Sequence, residues 1–168
     1  MISAKQLIDR LRLEPLAMEG GYFAETYRSA ETIPKEVLPG RYEGSRPFCT
    51  AIYYLLTPDT FSCIHRLRSD EIYHFYLGGP VEMLQIKPDG SATVLTLGPD
   101  LLSGMVPQAV VPKDVWQGSR LLPGCDFALL GTTLAPGFDP TDREYGRRDH
   151  LLRLCPEARD LIIALTRE

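Results

Sequence analysis

The run His65-Arg66-Leu67-Arg68-Ser69-Asp70-Glu71-Ile72-Tyr73-His74-Phe75-Tyr76-Leu77-Gly78 decides the reading of this chain. From Asp70 to Leu77 it is rich in aromatic and β-branched residues and ends at Gly78-Gly79-Pro80, which reads as a strand closed by a turn. Side chains alternate across a strand, so if Glu71 faces inward, Tyr73 and Phe75 share its face and His74 points the other way. A carboxylate facing the interior of a sheet needs a partner, because burying it alone is costly.

Working outward, similar segments recur about every ten residues with Gly or Pro between them. They are Tyr22–Arg28, Phe48–Thr57, Thr60–Leu67, Val81–Lys87, Ser91–Leu97, Val106–Val111, Asp114–Leu121 and Cys125–Leu134. Pro88-Asp89-Gly90 is a hairpin turn signal between two of them. This spacing predicts an all-β fold, an antiparallel sandwich or barrel. Short helices flank it at both termini. Ser3-Ala4-Lys5-Gln6 reads as a capping box that opens a helix over about 3–13, with Pro15 stopping it. Arg148–Leu154, then Pro156 as a first-turn residue and Leu161, Ile162 and Leu165, read as helical again. Residues 29–47 form the longest irregular stretch, either a functional loop or a solvated excursion.

The 168 residues fit one domain, 1–168, with no repeat or linker to divide it. Apolar residues at 44% suffice for a core. A net charge of -4 gives no bulk attraction to nucleic acid or anionic lipid. No apolar run approaches the ~20 residues that span a bilayer, and the N-terminus becomes charged too early for a signal peptide. Cys49, Cys63, Cys125 and Cys155 form no Cys-x-x-Cys pair, which suits free thiols in a cytoplasmic protein.

The chain resembles the cupin superfamily. The first cupin motif is His-x-His, three or four residues, Glu, six residues, Gly. His65, Glu71 and Gly78 stand at its first His, Glu and Gly, while Leu67 occupies the second His position. The second motif is similar to Pro112-Lys113-Asp114-Val115-Trp116-Gln117, with Asp114 in place of the turn glycine and Gln117 in place of the histidine. Glu19-Gly20-Gly21-Tyr22-Phe23-Ala24-Glu25-Thr26-Tyr27-Arg28-Ser29 resembles the opening of one uncharacterised cupin subfamily, and Phe138-Asp139 and Glu144-Tyr145-Gly146 resemble its end. The resemblance implies a double-stranded β-helix, an RmlC-like jelly roll, commonly a homodimer, with a pocket inside the barrel and no assigned substrate.

An ordinary cupin metal site draws on three imidazoles and a carboxylate. Here the corresponding set is His65, Glu71 and Gln117, a poor donor set for zinc, iron or copper; no metal and no cofactor is expected. The same groups suit proton transfer. His65 can exchange a proton near neutral pH. Glu71 is expected to orient it, and Gln117 to hold a substrate oxygen. Tyr53 or Tyr73, if inward, offers a phenol, and Arg28, Arg66 or Arg68 a grip for an anionic group. Glu25 and Arg28, three apart on a strand, are expected on opposite faces. The expected ligand is a small polar metabolite, sugar-like or carboxylated. Three functions fit: a metal-independent isomerase or epimerase with His65 as base, a non-catalytic binding module, and, less well, a metal-dependent oxygenase. His65 and Glu71 also suit a purely structural hydrogen-bonded pair.

Overall fold

The computed structural model describes residues 2–167. Helix α1 is Ala4–Leu11. Among the described residues thirteen strands follow: β1 (Glu14–Pro15), β2 (Tyr22–Arg28), β3 (Thr32–Ile33), β4 (Arg46–Pro47), β5 (Thr50–Leu56), β6 (Phe61–Arg66) and β7 (Glu71–Gly78); then β8 (Val81–Ile86), β9 (Ala92–Leu97), β10 (Gln108–Val111), β11 (Trp116–Leu121), β12 (Ala128–Leu134) and β13 (Glu144–Tyr145). Helices α2 (Arg148–Leu154) and α3 (Arg159–Ala164) close the chain.

Two antiparallel sheets form the jelly roll. One runs β1-β2-β5-β12-β7-β10 and the other β13-β6-β11-β8-β9. Sheets that face each other must interdigitate their inward side chains. Tyr54, Leu56, Tyr73, Met83, Leu97, Leu130 and their neighbours fill that interior. Burying each large apolar side chain contributes roughly 1.5–3 kcal/mol.

The helices cover outer faces. Leu7 of α1 joins Leu13, Leu55, Phe127 and Leu129 outside the six-stranded sheet. Leu151, Ile162 and Leu165 join Ile64, Leu84 and Trp116 outside the other. Trp116 thus faces away from the interior, opposite to Gln117 next to it, as strand parity requires. The capping box at Ser3 and Gln6 is present, and α1 ends at Arg12 in the left-handed conformation, before Pro15 is reached. No helix among the described residues is long and apolar enough to cross a membrane.

The stretch 29–47 is more ordered than its Pro and Gly content suggests. β3 pairs with β4, and Arg46 makes a buried ion pair with Asp142, both contacts at 2.6 Å. That pair ties the loop to the segment Phe138–Glu144, which lies over one end of the barrel. All four cysteines are free.

Candidate functional site

The site begins with a tight turn ahead of β2. Gly20 N–H donates to Leu16 O at 2.7 Å, and Leu16 N–H to Gly21 O at 3.0 Å. Gly20 has φ +99°, and a Cβ there would lie 2.2 Å from Phe61 O. Only glycine fits both conditions. The turn delivers Glu19 to β6, where its carbonyl accepts from Cys63 N–H at 2.7 Å. Its carboxylate accepts from Ser62 Oγ at 3.4 Å and from Arg143 Nη1 at 3.0 Å.

His65 stands two residues on from Cys63, on the inward face of β6. Its Nδ1 lies 2.8 Å from Cys63 O. A carbonyl oxygen only accepts, so Nδ1 carries the hydrogen. The neutral ring therefore presents an unprotonated Nε2, which lies 3.9 Å from Glu19 Oε2. Tautomer and ring orientation are set by the backbone of the same strand.

Glu71 opens β7 across the interior. Gln117 Nε2 donates to its Oε2 at 2.5 Å. Burial pushes the Glu71 carboxyl above the ordinary range; nearby His65 works against the rise, Glu19 adds to it, and bonding to Gln117 and Thr132 opposes it. Burial also raises the Tyr73 phenol well above its usual value, with Glu71 and Glu19 adding to the effect, so Tyr73 keeps its O–H. Tyr54 is raised likewise by burial and donates to Gly20 O at 2.9 Å.

These groups surround a cavity of about 340 Å³ that reaches from the barrel interior to the segment Phe138–Arg143. His65, Glu19, Glu71, Tyr73 and Thr132 line its inner end; Phe23, Ile52, Leu134 and Phe138 supply apolar wall. Arg28 and Arg143 also line it. The Arg143 guanidinium lies 5.0 Å from the Tyr145 ring centroid and 5.5 Å from that of Phe138, which fixes its plane.

Several sequence expectations are corrected. Tyr53 faces outward: it packs with the helix cluster around Leu7 and edge-on against Tyr76, while Tyr54 lines the cavity. Gln117 is buried behind Glu71 and does not line the cavity. Glu71 is not the group that orients His65; Cys63 O does so, and Glu19 is the carboxylate within ion-pair range. Glu25 and Arg28 share a face, in a bidentate pair at 2.9 and 2.8 Å. A bulge between Glu25 and Tyr27 adds a residue to β2 and turns a spacing of three into one of two. Arg28 lies on the cavity wall with its charge already matched. His74 points outward, 3.3 Å from Gln108 and from Thr133.

Sequence reasoning missed Glu19, Arg143 and Thr132. For Glu19 the signal was the Gly20-Gly21 pair, which forces a turn and leaves an acidic residue at its shoulder. Arg143 and Thr132 carried none.

A transition metal fits these residues poorly. Leu67 takes the place of an imidazole ligand and lines the cavity as an apolar wall. Gln117 takes another and spends its N–H on Glu71. Among the described residues no group of three or more His, Cys, Asp or Glu side chains is arranged to hold a metal ion.

The family model described as Cupin superfamily (DUF985) matches residues 5–146. The uncharacterized protein YML079W of Saccharomyces cerevisiae is 36% identical over 135 residues, 76% of this chain and 67% of that protein. A hypothetical protein from Leishmania major superposes with a TM-score of 0.88 at 30% identity, covering 99% of this chain and 100% of that one. Protein SO0799 from Shewanella oneidensis gives 0.86 at 33% identity, covering 99% of each. A dTDP sugar isomerase from Desulfovibrio desulfuricans shares the fold more distantly, with a TM-score of 0.54 at 16% identity over 80% of this chain and 88% of that one. With its jelly roll, its first motif and a family match across most of its length, the chain belongs to the cupin superfamily, in the family DUF985.

Proposed function

We propose that this cupin is a metal-independent isomerase or epimerase acting on a small polar metabolite that carries a carbonyl. One observation carries the reading: the Nδ1–H of His65 is committed to Cys63 O at 2.8 Å, so the neutral ring turns a basic Nε2 toward the cavity. His65 removes a proton from the carbon next to the carbonyl. Glu19, 3.9 Å from Nε2, balances the positive charge that His65 acquires. The carbonyl oxygen takes a hydrogen bond or a proton from Glu71, whose carboxyl burial makes readier to hold one, or from the Tyr73 hydroxyl. On a substrate with a hydroxyl at that carbon, the proton on His65 then passes to the former carbonyl carbon while the hydroxyl gives its proton to Glu71 or Tyr73, which moves the carbonyl. Inversion needs a proton delivered to the same carbon from the opposite face by Tyr73, which regains one from solvent as His65 loses its own. Apolar walls and the overlying segment limit water at the reacting carbon. A fold shared with a dTDP sugar isomerase is compatible with this chemistry and carries no more than that.

The test is incubation of the purified protein with a small-metabolite extract in heavy water, read by mass spectrometry. A carbonyl metabolite that gains deuterium with the wild-type protein and not with His65→Gln is the expected result. Equal labelling with both proteins would overturn the assignment of the base. A metabolite that co-purifies with the protein and never exchanges would favour the non-catalytic binding module.

A further inference from the structure

We infer that the cavity takes an uncharged ligand, with an apolar body and a carbonyl or hydroxyl head, and not a carboxylate or a phosphate. This rests on the same pocket as the proton-transfer reading and names the substrate class for it.

Charge matching in the cavity sets this preference. Two cationic side chains line the cavity among the described residues, Arg28 and Arg143. Each is already committed within the cavity. Arg28 gives Nε and Nη2 to Glu25 and Nη1 to Phe138 O at 3.2 Å. Arg143 gives Nη1 to Glu19. Glu71 is a third carboxyl on the wall, and its hydrogen-bond partner is the neutral Gln117. An entering anion therefore meets no cation that lacks a carboxylate partner, and its charge would stay unpaired in the cavity. A charge taken out of water without a partner is costly.

The inner end itself suits a neutral head group. Thr132, which bonds with Glu71, and Tyr73 both line it and are buried. A hydroxyl both donates and accepts, so either can pair with a carbonyl or an alcohol. The walls opposite, Phe23, Ile52, Leu134 and Phe138, suit a hydrocarbon or ring body.

The probes are matched keto acids and their methyl esters: phenylpyruvate with methyl phenylpyruvate, and levulinate with methyl levulinate. Binding is followed by protein-detected NMR near neutral pH. At least one ester binds the wild-type protein about tenfold more tightly than its acid. Glu25→Gln unmasks Arg28 on the cavity wall, and Glu19→Gln unmasks Arg143. In each variant the acid gains about fivefold or more while the ester changes little. Glu25 is exposed, so its variant reports even if Glu19→Gln folds poorly.

Tighter binding of an acid than its ester to the wild-type protein overturns the inference. So does failure of every ester to bind at millimolar concentration, or an acid that gains nothing in either variant. Because binding is read without turnover, the two readings fail separately. An ester that binds but never exchanges deuterium removes only the proton transfer. Exchange on an anionic metabolite removes only the neutral-ligand class.

Discussion

His65 Nε2 lies 3.9 Å from Glu19 Oε2, too far for a hydrogen bond and close enough for an ion pair once the ring is charged. The contact therefore leaves unoccupied the lone pair that must accept a proton, with a carboxylate beside it to balance the charge once gained. A carboxylate in direct hydrogen bond to Nε2 would compete with substrate for that position.

His65→Gln keeps a side chain of similar reach and removes the base. Loss of a positioned general base costs about 10²–10⁴-fold in rate. The deuterium exchange rate should fall by that factor while the melting temperature changes little. An exchange rate within twofold of wild type would end the assignment.

Glu19→Gln should lower turnover more than it lowers affinity for a neutral ligand. It removes the counter-charge for the imidazolium while leaving an amide oxygen for Arg143 and an amide N–H for which Ser62 Oγ can act as acceptor. A loss of 1–2 kcal/mol at this distance corresponds to roughly tenfold or somewhat more in the rate of proton removal. Comparison of kcat and KM checks it, since a merely structural role would change both or neither.

Glu71 gives a pH-dependent stability. Its carboxyl holds a proton more readily in the folded chain than in the unfolded one, because burial penalises the charge. Between the ordinary carboxylate pKa and the raised one, the folded state binds more protons, so stability falls as pH rises through that window. Above the window the full cost of the buried charge is present; below it, none. Glu71→Gln should therefore raise the melting temperature by a few degrees near pH 8, with the difference vanishing near pH 4. Melting curves at both pH values decide it. An equal difference at both would place the effect in packing.

Part of this site was legible in the sequence, and the reasons are local. His65, Glu71 and Tyr73 could be placed inward from motif spacing and alternation, because the start of β7 is regular and the bulge of β6 lies before His65, between Ser62 and His65. The Glu25–Arg28 pair could not, because a bulge resets parity without a Gly or Pro to mark it. Tyr53 and Tyr54 are adjacent, and the choice between them depended on register, which a sequence of alternating apolar residues leaves open. Glu19 and Arg143 meet across the fold at 3.0 Å from opposite ends of the chain. No local pattern encodes such a contact.

The Arg46–Asp142 pair should be costly to break and cheap to replace. Both side chains are nearly inaccessible, at 2% and 3% exposure. Removing one partner strands the other's charge, at a cost of about 3–5 kcal/mol. Arg46→Met should lower the melting temperature by roughly 10 °C and slow exchange, because Asp142 anchors the turn that carries Phe138 and Arg143. Arg46→Met with Asp142→Leu should recover most of the stability. If the double variant is no better than the single one, the guanidinium's other bonds, to Ser45 O and Thr141 Oγ1, carry the effect.

Gly20→Ala tests whether the turn itself builds the site. The residue must hold φ +99°, and its new Cβ would meet a backbone oxygen, Phe61 O, at 2.2 Å. The oxygen belongs to β6 and cannot rotate away as a side chain would. Conformational strain alone costs about 1–3 kcal/mol, and relief of the clash must move Glu19 off β6. Melting temperature and exchange rate should both fall, and the rate should fall at least as far as in Glu19→Gln. Gly40→Ala is the control: its backbone needs no positive φ and its Cβ would meet nothing within 4 Å, so both readouts should stay near wild type. A Gly20→Ala protein that melts lower but exchanges deuterium at the wild-type rate would show that the turn supports the fold without positioning Glu19 for catalysis.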